Sequence, residues 1–93
     1  MARFDQTLHN IDVRELTDEE RELKIQEGLH NVYKALCEKG YNPSAQIVGY
    51  ILTEDPTYIT SHNDARKIMN RMDRYEVLEV LLKNYFEDTN KEG

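Results

Sequence analysis

The sequence predicts an all-α fold: a small compact bundle of about four helices behind a mobile N-terminal arm. Three observations carry that prediction. Helix-start signals recur at Thr17, Asn42, Ser61 and Asp73, apolar residues follow at spacings of three and four, and no stretch alternates apolar with polar as a half-buried strand would. The chain has 93 residues, enough for one domain. It divides into an arm over 1–16, a helical domain over 17–88 and a frayed tail over 89–93.

The arm holds Phe4, Leu8, Ile11 and Val13 in no helical period, and chain ends with no fastening stay loose. The first helix begins at Thr17-Asp18-Glu19-Glu20, a capping box whose acids also suit the positive end of the helix dipole. Ile25, Leu29, Val32 and Leu36 then mark one face, which Tyr33 widens, and Gly40 closes the helix in a left-handed turn. The spacing predicts a helix over 18–39, with Gly28 a weak point inside it. Cys37 reads as a small buried apolar group.

Asn42-Pro43 starts the second helix, asparagine as cap and proline at the first helical position. Ile47, Val48, Ile51 and Leu52 form its expected buried stripe. Gly49 costs about 1 kcal/mol against alanine in a helix, a cost that close approach of another helix backbone would explain. Asp55-Pro56 ends this helix, because the residue before proline is pushed from helical angles. Tyr58 and Ile59 fold back onto the core. Ser61-His62-Asn63-Asp64 reads as the next cap, followed by Ala65, Ile68, Met69 and Met72. Asp73-Arg74-Tyr75-Glu76 opens the last helix, where Val77, Leu78, Leu81, Leu82, Tyr85 and Phe86 line a broad apolar face.

Composition bounds the function. A chain this short buries only about 60–65% of its unfolded surface, so self-association is an obvious supplement to its core. Cys37 is the only cysteine, which excludes an internal disulfide and suits a reducing compartment. With no apolar run of membrane-spanning length and no secretion signal, the expected location is cytoplasmic. The net charge of −6 opposes sequence-independent nucleic-acid binding, and no membrane insertion is expected. The one basic segment carries Arg66, Lys67 and Arg71, with Arg74 just beyond.

Gly40 to Arg66 concentrates a dense pattern: Asn42-Pro43, Gln46-Ile47-Val48-Gly49-Tyr50, Asp55-Pro56, Tyr58-Ile59 and Ala65-Arg66. It resembles the signature of the IreB-type regulatory phosphoproteins, small helical proteins of Gram-positive bacteria that are substrates of a membrane serine/threonine kinase. The resemblance implies a homodimer acting downstream of a Ser/Thr protein kinase in the cell-envelope stress response, through an unnamed downstream protein. It also implies phosphorylation in the arm. Thr7, within Asp5-Gln6-Thr7, matches an acceptor position, whereas Phe4 stands where the family pattern has a second threonine.

Each candidate has a plainer reading beside it. Thr7 is the only serine or threonine ahead of Thr17, and without the resemblance it is a solvated hydroxyl. Arg66, Lys67, Arg71 and Arg74 read as a solvated helix face, as a phosphate dock through charge-assisted hydrogen bonds, or as a nucleic-acid helix. The last reading, a helix–turn–helix-like module, suffers from flanking Asp64, Asp73 and Glu76 and from an over-long connection between Leu52 and Ser61. Asn42, Gln46, Tyr50 and Tyr58 either present a partner surface or fasten the loop to the core. No catalytic constellation stands out: His30 and Cys37 lie about 10.5 Å apart along a helix axis. His9, His30 and His62 are scattered, so no metal site and no cofactor are expected. The sequence describes a non-enzyme, with an unmodified scaffold as the remaining alternative.

Overall fold

A computed structural model of the chain describes residues 16–92, with side chains through 87. Helix α1 spans Asp18–Glu38. Thr17 Oγ1 accepts from the Glu20 amide at 3.1 Å, and the Glu20 carboxylate returns a bond to the Thr17 amide at 2.9 Å. The expected capping box is therefore complete. At the other end the Tyr41 amide donates to the Leu36 carbonyl and the Gly40 amide to that of Cys37, both at 3.0 Å. This is a Schellman closure, and it requires the left-handed turn that Gly40 makes at φ 82°.

Helix α2 runs over Pro43–Thr53, capped by Asn42 Oδ1, which accepts from the Ala45 amide at 3.1 Å. It ends on Glu54 in the left-handed region. A 3-10 turn over Pro56–Tyr58 follows, opened by Asp55, and a second over His62–Asp64 leads into α3, Ala65–Asn70. The final helix α4, Arg74–Glu92, starts where Asp73 Oδ2 accepts from the Glu76 amide at 3.1 Å. Its backbone is helical to Glu92. No strand occurs among the described residues.

Helix α1 is the spine against which α2, α3 and α4 all pack, α3 most extensively. The core consists of Ile25, Val32, Ala35 and Leu36 of α1, Tyr50, Ile59, Ala65 and Met69 from the middle of the chain, and Val77 and Val80 of α4. Leu29, Ile47, Ile51, Ile68 and Met72 pack partly buried around it. Gly28 lets α3 sit close: a Cβ there would meet Met72 Sδ at 2.9 Å and Ile68 Cγ2 at 3.2 Å.

Several expectations need correction. Cys37 is exposed and Tyr33 half-exposed, because α1 turns only the arc through Ile25, Val32 and Leu36 toward its neighbours. On α2, Val48 and Leu52 are exposed and Tyr50 is the residue that is fully buried. The backbone that Gly49 was expected to admit is instead an aromatic ring, that of Tyr58. The segment Ser61–Asp64 does not cap α3 with a side chain. Consecutive left-handed residues, Asn63 and Asp64, turn the chain there, and Glu38 Oε1 on α1 holds the turn by accepting from Asn63 Nδ2 at 3.2 Å and bonding His62 Nε2 at 2.9 Å.

Candidate functional site

The segment from Asn42 to Arg66 folds into a clamp. Gln46 lies one turn into α2, and its Nε2 donates to the Tyr58 carbonyl at 2.9 Å. That bond pulls the 3-10 turn onto the helix and seats the Tyr58 ring over Gly49, where a Cβ would overlap ring atoms. Thr53 Oγ1 donates to the Gly49 carbonyl at 2.7 Å and accepts from the Asp55 amide at 3.1 Å, so the helix end and the loop start share one hydroxyl. Asp55 Oδ1 then takes the Thr57 amide and hydroxyl at 3.0 and 2.7 Å. Those Thr57 bonds, side chain before backbone, hold the Asp55 carboxyl below the usual carboxylate range.

Beneath the clamp, Tyr50 is buried and its hydroxyl donates to Asn70 Oδ1 of α3 at 2.9 Å. Asn42 is spent on capping α2. Gln46, Tyr50 and Tyr58 link α2 to the loop and to α3, while Asn42 caps α2 itself. Sequence reading missed Asn70, the acceptor that gives the buried Tyr50 hydroxyl its partner.

The four basic residues do not converge. Arg66 Nε donates to the Ile59 carbonyl at 2.9 Å, closing the loop from its far side. Arg74 reaches across to α2, where Nη1 donates to the Ile51 carbonyl and Nη2 pairs with Glu54 Oε1 at 3.1 Å. Ile51 offers one of the carbonyls left open at the end of α2, so the guanidinium acts as a C-terminal cap supplied from another helix. Lys67 and Arg71 are exposed, and neither makes a side-chain hydrogen bond or ion pair among the described residues. Arg71 lines a cleft of about 300 Å³ between α1 and the α3–α4 junction, with Lys24 and Arg21 on the α1 side and Gly28 and Met72 at its floor. Lys24 likewise has no side-chain partner among the described residues. Thr7 lies outside the described residues.

A second surface is apolar. Val77 and Val80 of α4 face the core, while Tyr75, Leu78, Leu81, Leu82, Tyr85 and Phe86 are exposed, Leu82 at 57% and Tyr85 at 66%. The Tyr85 and Phe86 rings meet edge to face at 5.1 Å. On α2, Leu52 is 75% exposed, and Arg74 ties the start of α4 to the end of that helix. These side chains leave α4 with an exposed apolar face.

Among the described residues no group of three or more His, Cys, Asp or Glu side chains is placed to hold a metal ion. No helix among them is long and apolar enough to cross a membrane. The profile of the family described as IreB regulatory phosphoprotein matches residues 10–87. The chain belongs to the IreB family. Among its relatives, the UPF0297 protein of Ruminiclostridium cellulolyticum is 53% identical over 75 residues, covering 81% of this chain and 85% of the relative. The UPF0297 protein of Acetivibrio thermocellus is 48% identical over 94 residues, covering all of this chain and 98% of the relative. The family's description as a regulatory phosphoprotein gives the chain a regulatory role. The IreB match begins three residues after Thr7, whereas the alignment with the Acetivibrio protein spans the whole chain.

Proposed function

We propose that this chain is a non-catalytic regulatory phosphoprotein that works as a homodimer downstream of a Ser/Thr protein kinase in cell-envelope stress signalling. Its switch is phosphate on Thr7. The observation that carries this reading is membership of a family described as regulatory phosphoproteins, in a chain whose signature residues are occupied in holding the fold together. What remains for function is the N-terminal segment and the exposed faces. In the modification the Thr7 oxygen attacks the γ-phosphorus of ATP, an O–P bond forms, the hydroxyl proton leaves and ADP departs. The product carries about −1.5 to −2 additional charge at its N-terminal end.

The second copy packs against the outer face of α4, where Leu78, Leu81, Leu82 and Tyr85 otherwise meet water. Charge supports the protein-partner reading over a nucleic-acid one. Two of the four candidate phosphate-contacting cations are committed to backbone carbonyls, and the net charge of −6 repels a polyanion.

The test is to incubate the full chain and Thr7→Ala with the kinase domain from the same organism and to map phosphate by mass spectrometry. Phosphate at Thr7, lost in the variant, is the expected result. A chain that stays unmodified is instead an interaction module without a phosphate switch.

A further inference from the structure

Resting on the reading of Thr7 as a phosphate acceptor, we propose that phosphothreonine 7 docks on its own chain, in the cleft between α1 and the α3–α4 junction, with Arg71 and Lys24 as its cationic contacts. Four observations carry this. First, of the cations that make no side-chain hydrogen bond or ion pair among the described residues (Lys24, Lys34, Lys39, Lys67 and Arg71), two line one cleft. Arg66 and Arg74 are tied to the Ile59 and Ile51 carbonyls, and Arg21 pairs with Asp18 and Glu76 at 3.5 and 3.6 Å. Arg71 and Lys24 line the same cleft from its two sides, and neither has a side-chain partner among the described residues.

Second, one of the three acids of the cleft is already paired: Glu76 faces Arg21, while Asp73 accepts the Glu76 amide and keeps its charge. Glu27 is the remaining acid on the rim. A guanidinium and an ammonium together match a phosphate dianion, and Arg adds planar, paired donors that a lysine lacks.

Third, the floor suits a peptide as well as a charge. Ile25, Gly28, Ile68 and Met72 line it, with Met72 and Ile68 packed directly on the Gly28 backbone. Thr7 is flanked by Leu8, so an apolar side chain arrives with the phosphate.

Fourth, the reach is sufficient. The chain outside the described residues ends at position 15, directly ahead of α1, and Lys24 lies about 12 Å along the helix from Leu16 at 1.5 Å per residue. The nine residues from Thr7 to Leu16 span up to about 30 Å when extended. The occupant is therefore the chain's own segment. Docking there converts the modification from a change of charge into a change of what the α1 surface presents.

The experiment places phosphothreonine at position 7 of the full chain by genetic code expansion, so it does not depend on any kinase. Phosphorus NMR then follows the titration of the phosphate, and amide spectra follow Gly28 and Arg71. Docking predicts a phosphate pKa about half a unit or more below that of a phosphorylated peptide of residues 1–15, with both amides shifted. Arg71→Gln and Lys24→Gln each return the pKa toward the peptide value while leaving the remaining spectrum folded. A phosphate that titrates as in the peptide, with Gly28 unmoved, overturns the proposal. So does a shift that appears only in an unphosphorylated, isotope-labelled chain mixed with the phosphorylated one, because that places the site on a second copy.

Discussion

The aromatic ring of Tyr58 lies directly on the backbone of Gly49, held there by the bond from Gln46 to the Tyr58 carbonyl. Alanine at position 49 gains about 1 kcal/mol in helix propensity but drives a methyl group into the ring, an overlap that costs about 1–3 kcal/mol. Gly49→Ala is therefore expected to destabilise the fold by about 0–2 kcal/mol net. Thermal melting checks the sign. A double-mutant cycle with Tyr58→Ala checks the cause, because removing the ring should turn Gly49→Ala neutral or favourable. A higher melting temperature for the single variant would mean that the ring moves aside freely.

Arg74 ties α4 to α2 by one backbone and one carboxylate contact. Its side chain is about a third exposed, so water weakens both contacts. Arg74→Ala should cost about 1 kcal/mol in urea unfolding, and Arg74→Lys should recover little of it, since an ammonium does not reproduce the two-directional fork. Lys67→Ala, which breaks no contact among the described residues, is the control and should unfold at the parent urea concentration.

Two carboxylates and one amine set the edges of the stability profile. The Thr17 backbone bond, then its hydroxyl, lower the Glu20 pKa, and Thr57 lowers that of Asp55. A depressed carboxylate stabilises the fold above its unfolded pKa, and that stability is lost as pH falls through the folded value. Lys83 is raised, chiefly by its bond to Glu22 at 2.8 Å, so its contribution is complete below the unfolded amine pKa and lost as pH climbs through the folded one. Melting curves should therefore fall at both acid and alkaline extremes. Thr57→Ala should flatten the acid limb, Thr17→Ala should flatten it less because the amide at position 17 still donates to Glu20, and Glu22→Gln should flatten the alkaline limb. An acid limb unchanged in both threonine variants would assign acid unfolding to other carboxylates.

The outer face of α4 should carry the dimer. Leu82→Glu places a charge where a partner helix would pack, at a position with no role in the monomer core. Sedimentation velocity should show a dimer for the parent chain and a monomer for the variant, with helical circular dichroism retained. A parent chain that sediments as a monomer at the concentrations of the experiment would remove this interface.

The helices were legible because their ends are chemical. Thr17 with Glu20, Asn42 with Pro43 and Asp73 each satisfy open amides with side chains close in sequence, so a linear reading finds them. The sides of the helices were not legible. Val48 and Leu52 share α2 with Ile47 and Ile51, and periodicity alone cannot say which apolar arc a small fold will leave uncovered. Val80, buried in α4, went unnoticed beside the larger Leu81 and Leu82. The basic cluster dissolved for a related reason. Arg66 and Arg74 answer carbonyls contributed by distant residues, Ile59 and Ile51, and nothing near either arginine in sequence announces them. His62 and Asn63 likewise meet Glu38 from 24 and 25 positions away.

The clamp around the Gly49 backbone also separates two kinds of information in this chain. The residues of the Asn42–Arg66 pattern fasten the fold, some buried like Tyr50 and others exposed like Asn42 and Asp55, and the exposed faces of α4 and the α1 cleft are built from other positions. Substitutions on the outside of α4 or around the α1 cleft can redirect what the protein meets while every fastener stays in place. Two proteins with the same signature thus share a scaffold without necessarily sharing a correspondent.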